Sequence, residues 1–241
     1  MDFKELKDRV SESSRIVFFG GAGTSTESGI PDFRSAEGLY NASGDETYAP
    51  EEILSRDFFK ARTEAFYTFY KSKMIYPEAK PNKAHEALVK LERQGKLQAV
   101  ITQNIDGLHQ LAGSKNVLEL HGSVQSNHCI ACYAKYPLPY VMESPGVPVC
   151  RQCGGIVKPD VVLYQENLDM DVLERAASYI HKAEVLIVAG TSLTVQPAAG
   201  LLRLYEGNAF ILINKSATAM DGLADYVISD SIGRVLHALV E

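Results

Sequence analysis

The chain has 241 residues, of which 46% are hydrophobic and 22% charged, and its formal net charge is −6. This length and composition are typical of a globular protein with one large domain, or with one domain that carries insertions. The negative charge excludes a general electrostatic attraction to nucleic acid or to anionic lipid, so we expect neither as a partner. The apolar runs are too short to span a membrane, and the charged first residues are not typical of a signal peptide. We therefore expect a cytoplasmic protein.

Short apolar runs alternate with helical patterns along most of the chain. Phe3, Leu6 and Val10 recur at helical spacing and predict an opening amphipathic helix. The predicted strands cover residues 16–19, 99–102, 117–120, 185–189, 210–213 and 226–228, and the helical patterns between them cover 84–93, 171–182 and 198–205. Because strands that alternate with helices form parallel sheets covered on both faces, the sequence predicts an α/β fold.

Two stretches interrupt this alternation. Residues 35–78 contain an irregular segment and then an aromatic-rich helical run at 53–74, and residues 124–157 contain all four cysteines and four of the prolines. We expect these two insertions to form a smaller second domain. The large domain would then consist of residues 1–34, 79–123 and 158–241.

The four cysteines have the spacing of a metal site. Two C-x2-C pairs are separated by seventeen residues, which is typical of a zinc ribbon in which Cys129, Cys132, Cys150 and Cys153 bind one ion. In a reducing compartment such cysteines are better explained as metal ligands than as disulfides. Because four protein ligands complete a tetrahedral site, we expect the zinc to be structural.

A glycine-rich segment, 21–26, follows the first predicted strand and resembles the dinucleotide fingerprint G-x-G-x-x-G. Thr26 replaces its third glycine, and the ribose-binding acid of dehydrogenases is missing, since Asp45 and Glu46 fall near the right distance but in a loop. Polar segments also follow two other strands, at 102–109 and 190–192. Three polar loops at strand ends favour a nucleotide site that is not a hydride-transfer site, over the alternative of a ligand-free turn.

The candidate base is His121, which follows the strand predicted at 117–120 and precedes a glycine. Its ordinary pKa near 6.5 suits proton transfer at neutral pH, although a structural role is the alternative. We expect structural roles for His85 and His109. Asp32 and Arg34 flank Phe33 and either form a local ion pair or, with Arg34 on a pyrophosphate and Phe33 excluding water, belong to a ligand site.

In combination, these segments resemble the sirtuin family of NAD-dependent protein deacylases. The segments that carry the resemblance occur in the family's order between residues 20 and 214, and they are Gly21-Ala-Gly-Thr-Ser, Ser28-Gly-Ile-Pro-Asp-Phe-Arg-Ser, Thr102-Gln-Asn-Ile-Asp-Gly-Leu-His, Leu120-His-Gly-Ser, the four cysteines, Lys158-Pro-Asp-Val-Val, Gly190-Thr-Ser-Leu and Ile213-Asn. The resemblance implies a Rossmann-like domain and a small domain made of a zinc ribbon and a helical insert. NAD and an acyl-lysine peptide would enter the cleft between them.

The resemblance also implies roles for individual residues. NAD would be contacted by Ala22, Gly23, Thr26, Asp32, Arg34, Gln103, Gly190, Thr191, Ser192, Asn214 and, near the adenine, Ile232 or a neighbour. Phe33, Ile105 and Asp106 would form the nicotinamide pocket. Asn104 would position the ribose, and His121 would be the general base. The acyl-lysine would lie in an apolar tunnel against Val162, Tyr164, Val195 and Phe33.

The implied activity is NAD-dependent deacetylation of protein lysines, with nicotinamide and O-acetyl-ADP-ribose as the other products. His121 would take a proton from a ribose hydroxyl. The implied partners are proteins that contain acetyl-lysine, and we expect a monomer. Mono-ADP-ribosyl transfer is an alternative activity. A zinc-ribbon adaptor for nucleic acid is disfavoured because Lys135 and Arg151 are the only Lys or Arg residues between 124 and 157.

Three positions depart from the family's pattern. Thr24 stands where members often have Ile, and Tyr164-Gln165-Glu166 replaces Phe-Gly-Glu. Tyr70 stands three residues after Tyr67, where members that remove succinyl groups have an Arg. Without that cation an acidic acyl group would be buried unpaired, so we predict deacetylation over desuccinylation.

Overall fold

The computed structural model describes residues 3–35, 38–40 and 48–241, so Asp45 and Glu46 lie outside the described residues. The strands in this part of the chain are β1 (Ile16–Gly20), β2 (Leu97–Thr102), β3 (Val117–Glu119), β4 (Gly122–Cys129), β5 (Lys135–Pro137), β6 (Val157–Val161), β7 (Val185–Ala189), β8 (Ala209–Ile213) and β9 (Tyr226–Ile228). Six of them form a parallel sheet in the order β3-β2-β1-β7-β8-β9.

Helices cover both faces of this sheet and also form part of the small domain. They are α1 (Phe3–Glu12), α2 (Pro50–Ile53), α3 (Arg56–Ala61), α4 (Thr63–Lys73), α5 (Lys83–Arg93), α6 (Leu108–Ala112), α7 (Leu138–Glu143), α8 (Met170–Lys182) and α9 (Ile232–Val240). Short 3₁₀ helices lie at Ala22–Ser28, Ala198–Leu204 and Asp221–Leu223. In the part of the chain that the structure describes, no helix is long and apolar enough to cross a membrane.

The central strands are apolar on both sides because both sides are covered. Every residue of β1, β7 and β8 is buried. Apolar side chains of α1, α5 and α9 pack on one face of the sheet, and those of α8 and the 3₁₀ helix Ala198–Leu204 pack on the other. The predicted α/β fold with a parallel, Rossmann-like sheet is therefore confirmed.

The small domain has its own sheet and core. Strand β4 pairs antiparallel with β5 and with β6. Aromatic side chains of α4, including Phe66 and Tyr70, share one apolar cluster with Cys129 and Val157 of the small sheet. The helical insert and the cysteine-containing sheet thus pack together, as the predicted fold required.

Two helical stretches differ from the prediction. The run at 53–74 is divided among α2, α3 and α4, because Ser55 caps the start of α3 by accepting a hydrogen bond from Phe58 N. The pattern at 198–205 is a 3₁₀ helix, in which Gly200 N donates to Pro197 O three residues earlier.

The sheet order reverses beside β1, and this places the polar loops together. Gly20, the last residue of β1, pairs with Thr102 at the end of β2 and with Ala189 at the end of β7. Ligands of open α/β sheets bind in the crevice at such a reversal, outside the carboxyl ends of the strands.

Candidate active site and metal centre

A cavity of about 600 Å³ lies between the carboxyl ends of the parallel strands and the small domain. Most of the site residues predicted from the sequence line it, and these are Ala22, Gly23, Asp32, Phe33, Arg34, Gln103, Asn104, Ile105, His121, Val162, Tyr164, Gly190, Thr191, Ser192, Val195 and Asn214. The volume is within the range of ligand pockets in proteins. The polar loops and the apolar wall therefore face one common space.

Three predicted residues lie elsewhere. Asp106 lines a smaller cavity next to the first one, together with Ser25. Thr26 is exposed, and its Oγ1 donates to Gly23 O at 3.0 Å instead of pointing to the cleft. Ile232 is buried in the core beneath the sheet. Neither Thr26 nor Ile232 lines the main cavity.

Part of the cavity wall comes from the helical insert, where the sequence analysis considered Tyr70 alone, as the position at which succinyl-removing members of the family have an Arg. Leu54, Tyr70 and Met74 line the cavity. Tyr70 and Met74 are four residues apart, which is the spacing of neighbours on one helix face. This spacing was the only feature of the sequence that could have indicated a shared wall. It could not by itself separate a ligand wall from an ordinary core face.

The two glycine-containing loops touch through their backbones. Gly23 N donates to Gly190 O at 2.8 Å, and a Cβ on Gly23 would lie 2.6 Å from Gly190 Cα. Gly190 itself has φ of +63°, which favours glycine. Such close approach leaves no room for side chains at these positions, as in the glycine-rich loops that bind phosphate groups.

Gln103 provides a second sign that the cavity accepts a polar ligand. Its Oε1 accepts a hydrogen bond from Thr191 Oγ1 at 2.8 Å, whereas its buried Nε2 has no partner among the described residues. A buried donor without an acceptor is costly, and a ligand oxygen would satisfy it. The loops and Gln103 thus fit NAD.

A network of side chains fixes the segment that follows β2. Ser25 Oγ donates to Asp106 Oδ2 at 2.7 Å and accepts from Asn104 Nδ2 at 3.0 Å. The other carboxylate oxygen, Asp106 Oδ1, accepts from Leu108 N at 2.8 Å. These bonds hold the Asn104 amide and the Asp106 carboxylate in defined orientations between the two cavities.

His121 is oriented by the backbone on both sides. Its Nδ1 lies 3.0 Å from Gln103 O, so Nδ1 carries the hydrogen and Nε2 is left as an acceptor. Its carbonyl oxygen accepts from Val162 N at 3.0 Å. Burial lowers the pKa of His121, and the hydrogen bond to Gln103 opposes this shift. A neutral imidazole with a free Nε2 can accept a proton.

His85 and His109 form a buried pair behind the site. His85 Nδ1 accepts from Asn82 N, and Asn82 caps α5, so His85 completes a capping box. The His109 ring lies 4.7 Å from that of His85, and burial together with the neighbouring His85 lowers the pKa of His109 to about 3. Both side chains are buried and neither lines the main cavity, which fits the structural roles that we expected for them.

The four cysteines meet at one point of the small domain. Their sulfur atoms all lie within 4.8 Å of one another, with Cys129 and Cys153 3.4 Å apart and Cys132 and Cys150 3.5 Å apart. Zn–S bonds of about 2.3 Å in a tetrahedron separate the sulfur atoms by about 3.8 Å, so the arrangement fits one Zn²⁺. The donor set is complete with four thiolates, and the site is structural.

The substrate side of the cleft is tied to the helical insert. Tyr164 OH lies 2.7 Å from Tyr40 OH, and Tyr164 N donates to Leu54 O at 3.0 Å, so Tyr164 is held against the helical insert. Gln165 has φ of +72°, and its Oε1 accepts from Asp57 N at the start of α3. Glu166 Oε2 accepts from Lys158 Nζ at 3.0 Å. Gln165 therefore adopts a left-handed backbone conformation that favours glycine, the residue expected here from the family's pattern.

Comparison with known proteins identifies the family. Residues 21–197 match the model of the Sir2 family. The chain belongs to the Sir2 family. An NAD-dependent protein deacetylase of Clostridium acetobutylicum is 60% identical over 98% of this chain and 97% of its own length. The enzyme of the same description from Clostridium perfringens is 58% identical over 98% of each.

Solved structures of Sir2 proteins have the same fold. A Sir2 homolog in complex with NAD is 40% identical, with a TM-score of 0.88 over 98% of this chain and 92% of that one. A Sir2 chain with deacetylated p53 peptide and 3′-O-acetyl ADP ribose is also 40% identical, with a TM-score of 0.89 over 98% and 96%. The resemblance to sirtuins that the sequence motifs indicated is therefore confirmed over nearly the whole length of this chain.

Proposed function

We propose that this chain is an NAD-dependent protein lysine deacetylase, which transfers the acetyl group of acetyl-lysine to ADP-ribose and releases nicotinamide. The observation that carries the proposal is the orientation of His121, whose Nδ1 is bonded to Gln103 O and which lines a cavity with the NAD-type loops on one side. The deacetylase relatives at 58–60% identity support the same activity.

The NAD side of the cleft is formed by the strand ends of the large domain. We assign contacts with NAD to the predicted residues that line the cavity, from Ala22 to Asn214, and assign the nicotinamide pocket to Phe33, Ile105 and Asp106. When bound, NAD supplies the glycosidic bond that is broken and the ribose hydroxyl that loses a proton. Thr26 and Ile232 have weaker support, since neither lines the cavity.

His121 is the general base in this proposal. Its Nδ1 hydrogen bond to Gln103 keeps the imidazole in the tautomer whose Nε2 accepts a proton from a ribose hydroxyl. Because burial lowers the pKa of His121, the acceptor stays neutral near pH 7. Asn104 and Asp106, held by Ser25, position the ribose and the carboxamide.

The substrate is an acetyl-lysine in a protein or peptide. Related Sir2 structures contain p53 peptide, which supports such a substrate. Val162, Tyr164 and Val195 line the cavity, and we assign the contacts with the acyl-lysine to them. The peptide backbone would pair as a strand between residues 165–167 and 195–197, which tolerates many sequences. We place the enzyme in the cytoplasm as a monomer, with the zinc held by the four cysteines supporting the small domain.

Turnover of an acetylated peptide with NAD tests this function. Wild type should form nicotinamide and O-acetyl-ADP-ribose, detected by mass spectrometry. His121→Ala should reduce turnover about 10²- to 10⁴-fold, as expected for a lost general base. His181→Ala, on an exposed position of α8, is the matched control and should retain full activity.

The same assay separates the alternative activity. With NAD labelled in the ADP-ribose part, a deacetylase places the label on a small acetylated product. Mono-ADP-ribosyl transfer places it on protein. Label on protein without an acetylated small product would refute the proposed reaction, and unchanged nicotinamide release in His121→Ala would count against the assigned base.

A further inference from the structure

A side chain outside both cavities, Asn82, joins the start of α5 to the glycine-rich loop. Its Nδ2 donates to Thr24 O at 2.9 Å and to Ser28 Oγ at 2.9 Å, and both acceptors belong to the 3₁₀ helix Ala22–Ser28. Its Oδ1 accepts from Ala84 N at 2.9 Å and so caps α5. Asn82 lines neither the main cavity nor the smaller one beside it.

The partners of Asn82 fix the orientation of its amide. Thr24 O can only accept a hydrogen bond and Ala84 N can only donate one, so the amide nitrogen faces the loop and the oxygen faces the helix. The third contact of Asn82, with His85 Nδ1, is made by its backbone nitrogen. The side chain therefore has two separable tasks, which are to cap α5 and to bind the loop.

The glycine-rich loop is supported from two sides. Gly23 N donates to Gly190 O at 2.8 Å, and the nitrogen of Thr24 lies 2.4 Å from where a Cβ on Gly190 would be. Thr24 is buried there, and its carbonyl oxygen accepts from Asn82 on the opposite side. Helix α5 is itself anchored by its apolar face in the core of the large domain. Asn82 thus connects the loop to a helix that is fixed in the core.

Helix capping alone does not require Asn at position 82. Ser, Thr and Asp are also preferred N-cap residues. None of them has an NH₂ group that can donate two hydrogen bonds while an oxygen of the same side chain accepts a third. Because 3₁₀ helices have poorer internal hydrogen-bond geometry than α-helices, the loop gains from donors outside it. The choice of Asn is therefore explained by the loop and not by the cap.

We propose that Asn82 is a positioning residue for NAD, whose amide nitrogen holds the 3₁₀ helix so that the backbone of Ala22 and Gly23 faces the ligand. This inference rests on the proposed function, in which Ala22 and Gly23 contact NAD. Both residues line the main cavity and directly precede Thr24, so a shift of Thr24 would move them. Loss of the two bonds should weaken NAD binding and leave the chemical step, which depends on His121, unchanged.

Two other capping residues at position 82 test the proposal. Asn82→Ser and Asn82→Thr retain an oxygen that can cap α5 and keep the backbone bond to His85, but neither can donate to both Thr24 and Ser28. Each variant should raise the Kd for ADP-ribose, measured by calorimetry, and the KM for NAD by about 3- to 30-fold. The kcat and the KM for an acetylated peptide should stay close to those of wild type.

Asn116→Ser is the matched control. Asn116 directly precedes β3, at the amino end of that strand, and its Nδ2 donates to Gln98 O. The glycine-rich loop lies at the carboxyl ends of the strands, so this substitution removes a side-chain bond far from the loop. It should lower the melting temperature and leave the Kd for ADP-ribose unchanged. The melting temperatures of all the variants show that each is folded.

The outcomes distinguish this inference from the proposed function. Folded Asn82 variants that bind ADP-ribose as wild type does overturn the role of Asn82 and leave the deacetylase proposal intact. An equal rise of the Kd in Asn116→Ser overturns it as well, because the effect then follows a general loss of stability. Wild type that neither binds ADP-ribose nor turns over an acetylated peptide overturns the proposed function, and the inference with it.

Discussion

The Nδ1 atom of His121 lies 3.0 Å from the backbone oxygen of Gln103, the residue that follows strand β2. A backbone carbonyl can only accept a hydrogen bond, so this contact fixes which imidazole nitrogen carries the hydrogen. The tautomer of His121 is thus set by the main chain just after strand β2. This tautomer does not depend on a carboxylate partner. The pKa of His121 is therefore governed by burial and by the hydrogen bond to Gln103.

The pH profile should have an acid limb below the ordinary histidine pKa. Burial lowers the pKa of His121 in the folded protein. The imidazole is therefore neutral and active at pH 7, and activity should fall only when pH drops through the lowered pKa, below about 6.5. The measurement is kcat/KM against pH, which reports the free enzyme. An acid limb with its midpoint above 6.5 would contradict this assignment.

Removal of a zinc ligand should act through folding. Cys132→Ala should lose the ion and the order of the small domain, and turnover should fall with it. Cys132→His is the matched variant, because three thiolates and one imidazole also bind structural zinc. It should retain more zinc than the Ala variant, as measured by metal analysis alongside near-UV circular dichroism. A metal-free protein with native fold and full turnover would disprove the structural role.

Gly190→Ala should cost more stability than an equivalent change elsewhere. Gly190 and Gly95 both have positive φ, +63° and +73°, but a Cβ on Gly190 would lie 2.4 Å from Thr24 N whereas a Cβ on Gly95 meets nothing within 4 Å. Gly95→Ala should therefore cost about 1–2 kcal/mol of unfolding free energy from backbone strain alone. Gly190→Ala should cost more and weaken NAD binding, as measured by urea unfolding and calorimetry. Equal costs would show that the loops can separate freely.

Substitutions of Gln165 should separate backbone strain from a side-chain contact. Gln165→Ala keeps the strain of φ +72° and loses the hydrogen bond from Asp57 N, so it should be less stable than wild type by about 0.5–1.5 kcal/mol. Gln165→Gly loses the same bond but relieves the strain, and should be about 1–2 kcal/mol more stable than the Ala variant. Thermal unfolding of the three proteins measures this. An Ala variant as stable as the Gly variant would mean that the strain is absent.

Acetyl-lysine should be a better substrate than succinyl-lysine in peptides of the same sequence. Tyr70 lies in the cavity wall where succinyl-removing members of the family have an Arg, and its phenol brings no positive charge. Burial of the succinyl carboxylate without a cation is costly, so its kcat/KM should be lower by a large factor. Faster removal of succinyl than of acetyl would refute this prediction.

The parallel sheet was predictable because its physical signature is strong. Strands covered on both faces are apolar throughout, and β7 and β9 have the bounds that their apolar runs predicted. The meeting of the polar loops followed from the same reasoning, since parallel strands end at one edge. The C-x2-C spacing was equally informative, because few other structures require it.

Contacts between distant segments were not predictable. The Tyr40–Tyr164 contact joins residues 124 positions apart, and the place of Tyr70 in the cavity wall depends on how α4 packs against the small sheet. Periodicity shows which face of α4 is apolar, but a core and a ligand wall have the same pattern. For Thr26 and Ile232, which do not line the cavity, contact with NAD stays a prediction.

The two hydrogen bonds of His121 have a mechanical consequence. Its side chain is attached to Gln103 of the large domain, and its carbonyl oxygen to Val162 at the end of the small sheet. His121 therefore lies where the end of β2 and the end of β6 meet. In the proposed reaction, the position of the base relative to the ribose depends on how the two sheets pack together.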